Sequence, residues 1–168
     1  AIMKGFALTR DLTTTQQQII SLKTSLDAAM TAWKTRPRDA RIPENVQKAA
    51  DDFAKQVDEV AAHFQNPPLL NEEQGSAAPP LINYPPTIGQ RIGQVYGALQ
   101  SVTAAPTTDE LADLDMLTKE LADLKPQVQK LVSEGLPALN KVINDAGVAN
   151  IVVTPVPAGG GRRGGDNN

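Results

Sequence analysis

The 168-residue sequence has no cysteine, one histidine, and few aromatic residues: one tryptophan, two tyrosines and three phenylalanines. Without cysteine, zinc–thiolate sites, iron–sulfur clusters, c-type haem attachment and disulfides are excluded. Its absence assigns no compartment, because many exported bacterial proteins also lack it. The single histidine excludes a di-iron or di-manganese bundle, which needs a Glu-x-x-His motif on each of two helices. The net charge of -3 and the lack of a basic stripe interleaved with aromatics argue against nucleic acid. No apolar run approaches the roughly 20 residues that cross a bilayer. Met3-Lys4-Gly5-Phe6-Ala7-Leu8 has the look of a signal-peptide start, but Thr9-Arg10-Asp11 ends the apolar stretch, so it reads as the lead-in to a helix. A chain opening at Ala1 with a helix almost at once reads as a piece of something longer or processed.

What the sequence does have is apolar residues at alternating steps of four and three. Leu8, Leu12, Thr15, Ile19, Leu22, Leu26, Ala29 and Trp33 form one such series, and Val46, Ala50, Phe53, Val57, Val60 and Phe64 a second. This spacing keeps a narrow stripe on one side of an α-helix and predicts helices packed side by side at a shallow angle. Alanine and leucine supply much of the apolar side, a mix that suits helix packing better than a sheet.

The first helix is expected over 6–34, ending before Arg36-Pro37, since proline forces its predecessor out of the helical region. The second opens at Pro43, with Glu44 at the positive end of the helix dipole, and Asn66-Pro67-Pro68 ends it. The third starts at Thr87, where Thr87 and Gln90 have capping-box spacing, and carries Ile88, Ile92, Val95, Leu99 and Val102 inward. Its Gly89, Gly93 and Gly97 predict close approach by a neighbouring helix or by the loop before it. Thr107 and Glu110 form a second capping box. A fourth helix then turns Leu111, Leu114, Leu117, Leu121, Leu124, Val128 and Leu131 inward, with Pro126 predicting a kink. Gly135 closes it or marks a break before a short helix carrying Leu136, Leu139, Val142 and Ile143.

The expected fold is therefore all-α: an antiparallel four-helix bundle over 1–147, with a short C-terminal helix. A long loop over 67–86 is read as a crossover that spans the bundle between the second and third helices. Residues 148–168 follow as an extended segment and a disordered Gly/Arg tail, too polar to order itself. Cations concentrate on the first helix and its exit (Arg10, Lys23, Lys34, Arg36, Arg38, Arg41). Acids concentrate on the fourth (Asp109, Glu110, Asp113, Asp115, Glu120, Asp123), which predicts complementary faces if the two are neighbours.

Chemistry is hard to find. A haem would need His63 with Met3, Met30 or Met116 as axial partner, but one histidine at a helix end reads as a surface residue. Asp51-Asp52, Asp58-Glu59 and Glu72-Glu73 are raw material for glycosidase acid/base work, yet all fall on outer helix faces or in the long loop. Asp109, Asp113 and Asp115 match no calcium-loop pattern, and the Gly159–Gly165 run lacks the lysine and strand–helix context of a phosphate loop. No catalytic, cofactor or metal residue is assigned. A partner surface is expected at Leu69, Leu70, Ile82, Tyr84 and Tyr96.

Tyr84-Pro85 leading into a helix, then Ala105-Pro106-Thr107, a long leucine-rich helix, and Leu136-Pro137-Ala138-Leu139-Asn140 followed by Gly147 form an ordered set. Together with Phe6 through Leu12 and the Gly/Arg tail, it resembles the C-terminal helical region of large exported bacterial BNR (Asp-box) propeller proteins. These are usually described as glycosyl hydrolases or sortilin-like proteins. The Asp-box itself is absent here, so no family catalytic residue carries over. The resemblance implies an exported, non-catalytic accessory domain whose partner is the upstream β-propeller of the same polypeptide. The rival expectation is an independent ligand- or cofactor-binding bundle of the bacterial envelope.

Overall fold

The computed structural model describes residues 2–37, 40–66, 84–101 and 106–155. Among them the chain forms α1 (Ile2–Lys34), α2 (Glu44–Ala61), α3 (Ile88–Ser101), α4 (Thr108–Lys130) and α5 (Leu136–Asp145), with a π-helical turn, Leu131–Gly135, joining α4 to α5. No strand occurs among the described residues.

Local signals place the starts. Before α2, the carbonyl of Pro43 accepts from Val46 N–H at 3.0 Å and Gln47 N–H at 3.1 Å, and Glu44 sits in the first turn. Thr87 N–H donates to Gln90 Oε1 at 2.9 Å while Gln90 N–H donates to Thr87 Oγ1 at 3.3 Å. The same reciprocal pair joins Thr107 and Glu110 at 2.8 and 3.3 Å, so both helices begin with two of their orphan donors satisfied. Only α1 departs at its start, beginning at Ile2 and not at Phe6.

The contacts fix how the helices run. Going down α1, Lys23 meets Asp58, Gln16 Nε2 donates to the Phe64 carbonyl, Leu12 lies beneath Gly89, and Gly5 lies against Tyr96. The partner number rises from α2 into α3 as the α1 number falls. Both helices therefore run opposite to α1, one after the other, along the same side. Between them Ile88 N–H donates to the His63 carbonyl at 3.0 Å. The chain leaves at Asn66 and returns at Tyr84 at nearly the same level, so the crossover expected over 67–86 has no bundle length to span. Residues 67–83 themselves lie outside the described residues.

The third rod is α4, the π turn and α5. Glu120 meets Arg91 of α3, and Gly135 meets Phe53 of α2, so it runs opposite to α2 and α3. Gly135 marks the expected break, as the last residue of the π turn between α4 and α5, and the rod continues through it. Pro126 lies inside α4, and Gly135 keeps helical angles (φ -65, ψ -51). The wide turn closes with Leu136 N–H on the Leu131 carbonyl. Pro137 follows at once, lacking the N–H that would close the next α-turn. The turn thus falls where an α-helical ladder would lose a bond anyway. From Thr108 to Asp145 the rod is roughly 55 Å long, close to the ~50 Å of α1.

The predicted stripes form the seam. Leu8, Leu12, Ile19, Leu22 and Leu26 pack with Val46, Ala50, Phe53, Val57, Leu114, Leu117, Leu121, Leu124 and Val128, all buried. Thr15 sits in this stripe with its hydroxyl donating to the Asp11 carbonyl at 2.8 Å, so burial strands no donor. Ala61 is buried at the end of α2, where Val60 is only half-buried. Leu111 departs from expectation and is exposed, because it lies at the end of the rod.

Among the described residues a Cβ at Gly93 or Gly97 would meet nothing within 4 Å, and one at Gly89 would make ordinary contact, so no helix approaches α3 closely there; most of the loop before it lies outside the described residues. The close approaches are elsewhere, at Gly5 and Gly135. Charge is likewise distributed otherwise than the helix totals suggest: Lys125 and Asp11 bridge α4 and α1 at 3.1 Å, with the acid on α1 and the base on α4. Lys23 links α1 to Asp58 and, at 3.3 Å, to Asp27. Burial pulls its pKa down, but the hydrogen bond to Asp58 and the charges of Asp27 and Asp58 outweigh this. The pKa ends above the ordinary 10.5, and the ammonium stays charged across the neutral range.

Beyond α5, Gly147 turns the chain at φ 69, a left-handed value that suits glycine. The segment that follows lies back on the bundle. Asn140 holds Ile151 through Nδ2 to its carbonyl (2.9 Å) and Oδ1 from its N–H (2.8 Å), and Thr154 N–H donates to Ser25 Oγ at 3.1 Å. Val148 and Ile151 join the core.

Candidate functional site

Apolar side chains left in solvent are normal singly and informative only when grouped. Met3 (83% exposed), Phe6 (65%), Met116 (52%) and Leu111 (41%) are grouped along the rods. The Asp11–Lys125 pair sets the offset between α1 and α4, and that offset puts Met116 beside the first turn of α1. All four therefore lie where α1 and α4 begin.

From this end a groove of about 400 Å³ runs between the two helices. Leu8 and Leu121, both buried, lie beneath it, and Ala7 and Ala122 are the small side chains of its walls. Asp11, Asp115, Thr118 and Lys125 stand at its rim. Met3 lies one turn before Ala7, and Leu111 one turn before Asp115, so both continue the groove on the same helix faces. The Thr118 hydroxyl is committed to the Leu114 carbonyl at 2.7 Å. The rim holds no base beside a nucleophile, and the Asp11–Lys125 pair is half-exposed, which makes it a weak tie. The surface offers apolar contact with a mixed polar border.

Of the residues expected to form a partner surface, the two described ones, Tyr84 and Tyr96, lie at separate levels of the bundle. Leu69, Leu70 and Ile82 lie outside the described residues. Tyr84 is half-buried at the α2–α3 joint, lining an open cleft of about 400 Å³ with His63, Asn66, Arg91 and Glu120. Tyr96 stands two turns along α3, its ring over Gly5, where a Cβ would lie 2.8 Å from Cδ2. Phe6 and Met3 could have been found in the sequence, since neither falls on the Leu8–Leu12–Thr15 stripe; Leu111 could not, since it does follow its own.

His63 is exposed, and no methionine lines its cleft. Asp51, Asp52, Asp58 and Glu59 are exposed on α2, with Asp52 near Lys55 at 3.5 Å. Among the described residues no group of three or more His, Asp or Glu side chains is placed to hold a metal ion. No helix described is long and apolar enough to cross a membrane. No protein-family model, curated protein or solved structure matches the chain.

Proposed function

We propose that this chain is a non-catalytic accessory domain of a larger exported BNR-propeller protein of the glycosyl-hydrolase type, in which the bundle docks on the upstream propeller of the same polypeptide. The observation that carries this reading is the exposed apolar end at Met3, Phe6, Leu111 and Met116. A propeller preceding residue 1 would join the bundle at that end, next to the groove between α1 and α4. The ordered set from Tyr84-Pro85 to Gly147 supports the family assignment, and the groove's chemistry supports contact over catalysis.

The reading frame upstream of Ala1 tests the family directly: Asp-box repeats are expected there, and their absence would refute it. In the full-length protein, Phe6→Asp with Met116→Asp is expected to leave the helical circular-dichroism signal unchanged. Limited proteolysis should then release the bundle about tenfold faster, equivalent to roughly 1.4 kcal/mol of lost docking. Unchanged release would contradict docking at this end.

A further inference from the structure

The opposite end of the bundle carries a second, differently built site. α1 finishes with Met30, Trp33 and Lys34, and the chain passes through Arg36 and Arg41 before entering α2. A cleft of about 360 Å³ lies in this elbow, within the ~300–1,000 Å³ of small-ligand sites and near its lower limit. Its walls are set by packing. Ile42 and Ala50 are buried beneath it, and Gln47 Nε2 donates to the Ile42 carbonyl at 2.7 Å, tying the entry strand of chain to the first turn of α2. Arg36 N–H donates to the Trp33 carbonyl at 3.3 Å and turns the chain off the end of α1. Trp33 and Met30 are half-buried, so part of each remains open to the cleft.

Among the described residues three cations line this cleft: Lys34, Arg36 and Arg41, all exposed. None forms an ion pair with a carboxylate among the described residues, whereas Lys23, Lys55, Arg91 and Lys125 all do. Among the described residues one acid, Asp51, shares the lining, which leaves an excess of positive charge over an apolar and aromatic floor. Guanidinium groups favour oxyanions whose paired oxygens accept two parallel N–H bonds, and an indole plane favours flat apolar bodies.

We propose that this cleft binds a small organic anion of one or two rings bearing a sulfonate, phosphate or carboxylate. The ring lies on Trp33, Met30 and Ile42, and the oxyanion is held by Arg36 and Arg41. The site is independent of the docking reading: Trp33 is about 45 Å along α1 from Met3, so either can fail alone.

Trp33 is the sole tryptophan, so its indole N–H gives one resonance that reports the cleft. Naphthalene-1-sulfonate titrated into the chain is expected to shift that resonance saturably. The neutral analogue 1-naphthalenemethanol is expected to bind about tenfold more weakly, as is the sulfonate to Arg36→Gln/Arg41→Gln, because charge-assisted hydrogen bonds are lost in both. Lys119→Gln on α4 removes the same charge far from the cleft, and its affinity is expected to stay within about twofold. Both Arg changes are at exposed positions, and an unchanged circular-dichroism spectrum verifies folding. A non-saturating shift, equal binding of the neutral analogue, or full affinity in the double variant would overturn the proposal. So would Arg36- and Arg41-dependent sedimentation with phosphatidylglycerol vesicles in the absence of any sulfonate binding, which would assign the cations to a lipid surface.

Discussion

Phe53→Ala is expected to destabilise the bundle by about 3–5 kcal/mol, the usual cost of emptying a buried aromatic site. Phe53 is buried on α2, and its ring occupies the space a side chain would take at Gly135. A Cβ built there would lie 2.5 Å from Cε2 and 3.3 Å from Cδ2 and Cζ. Gly135→Ala is therefore expected to be unfavourable by about 1–3 kcal/mol through overpacking. In an open helix the same change would gain about 1 kcal/mol, so the sign identifies the clash. The two sites are coupled. In the Phe53→Ala background, Gly135→Ala should be neutral or stabilising, and a double-mutant cycle by urea denaturation measures the difference. Stabilisation by Gly135→Ala in the unaltered protein would mean that Phe53 does not dock on the π turn.

Phe64→Ala is expected to cost a similar ~3–5 kcal/mol. Phe64 is among the most deeply buried large side chains of the bundle and lies just past the end of α2. Its carbonyl takes the Gln16 amide at 3.3 Å, and the neighbouring His63 carbonyl takes Ile88 N–H at 3.0 Å. The ring therefore underlies the joint at which α2 gives way to α3. Its loss should also raise the hydrogen-exchange rate of the Ile88 amide well before global unfolding. A cost below about 1 kcal/mol, within the range of ordinary surface substitutions, would show that the joint does not depend on it.

The helices were legible because their signals are local or periodic. Leu8 to Leu26, Val46 to Val57 and Leu114 to Val128 keep one face by spacing alone, and Thr87–Gln90 and Thr107–Glu110 fix starts within four residues. Pro126 lies inside α4 and Gly135 falls at a break between α4 and α5, as their positions in the sequence predict. What was not legible is that the break is a π turn through which the rod continues, with Phe53 filling the vacant side of Gly135. Glycine's role was not legible either. Among the described residues Gly93 and Gly97 meet no neighbour despite their regular repeat, while the isolated Gly5 and Gly135 carry the close approaches, because a glycine's neighbour belongs to another helix. The level at which residues 67–86 leave and return depends on the His63–Ile88 contact, which no spacing encodes. Of the expected partner surface, Tyr84 and Tyr96 are half-buried at separate levels, and the exposed apolar end arises from how far α1 and α4 extend.

Replacement of residues 67–83 by Gly-Ser-Gly, followed by thermal and urea unfolding, tests most directly whether α2 and α3 form one interrupted rod against α1. Because their ends already meet through His63 and Ile88, the shortened chain is expected to keep its helical signal and unfold cooperatively. Its stability should match or exceed the original by up to about 1 kcal/mol, from a smaller loop-closure entropy. Loss of cooperative unfolding or of helix content would contradict the arrangement, since that is the outcome if the segment must span the bundle.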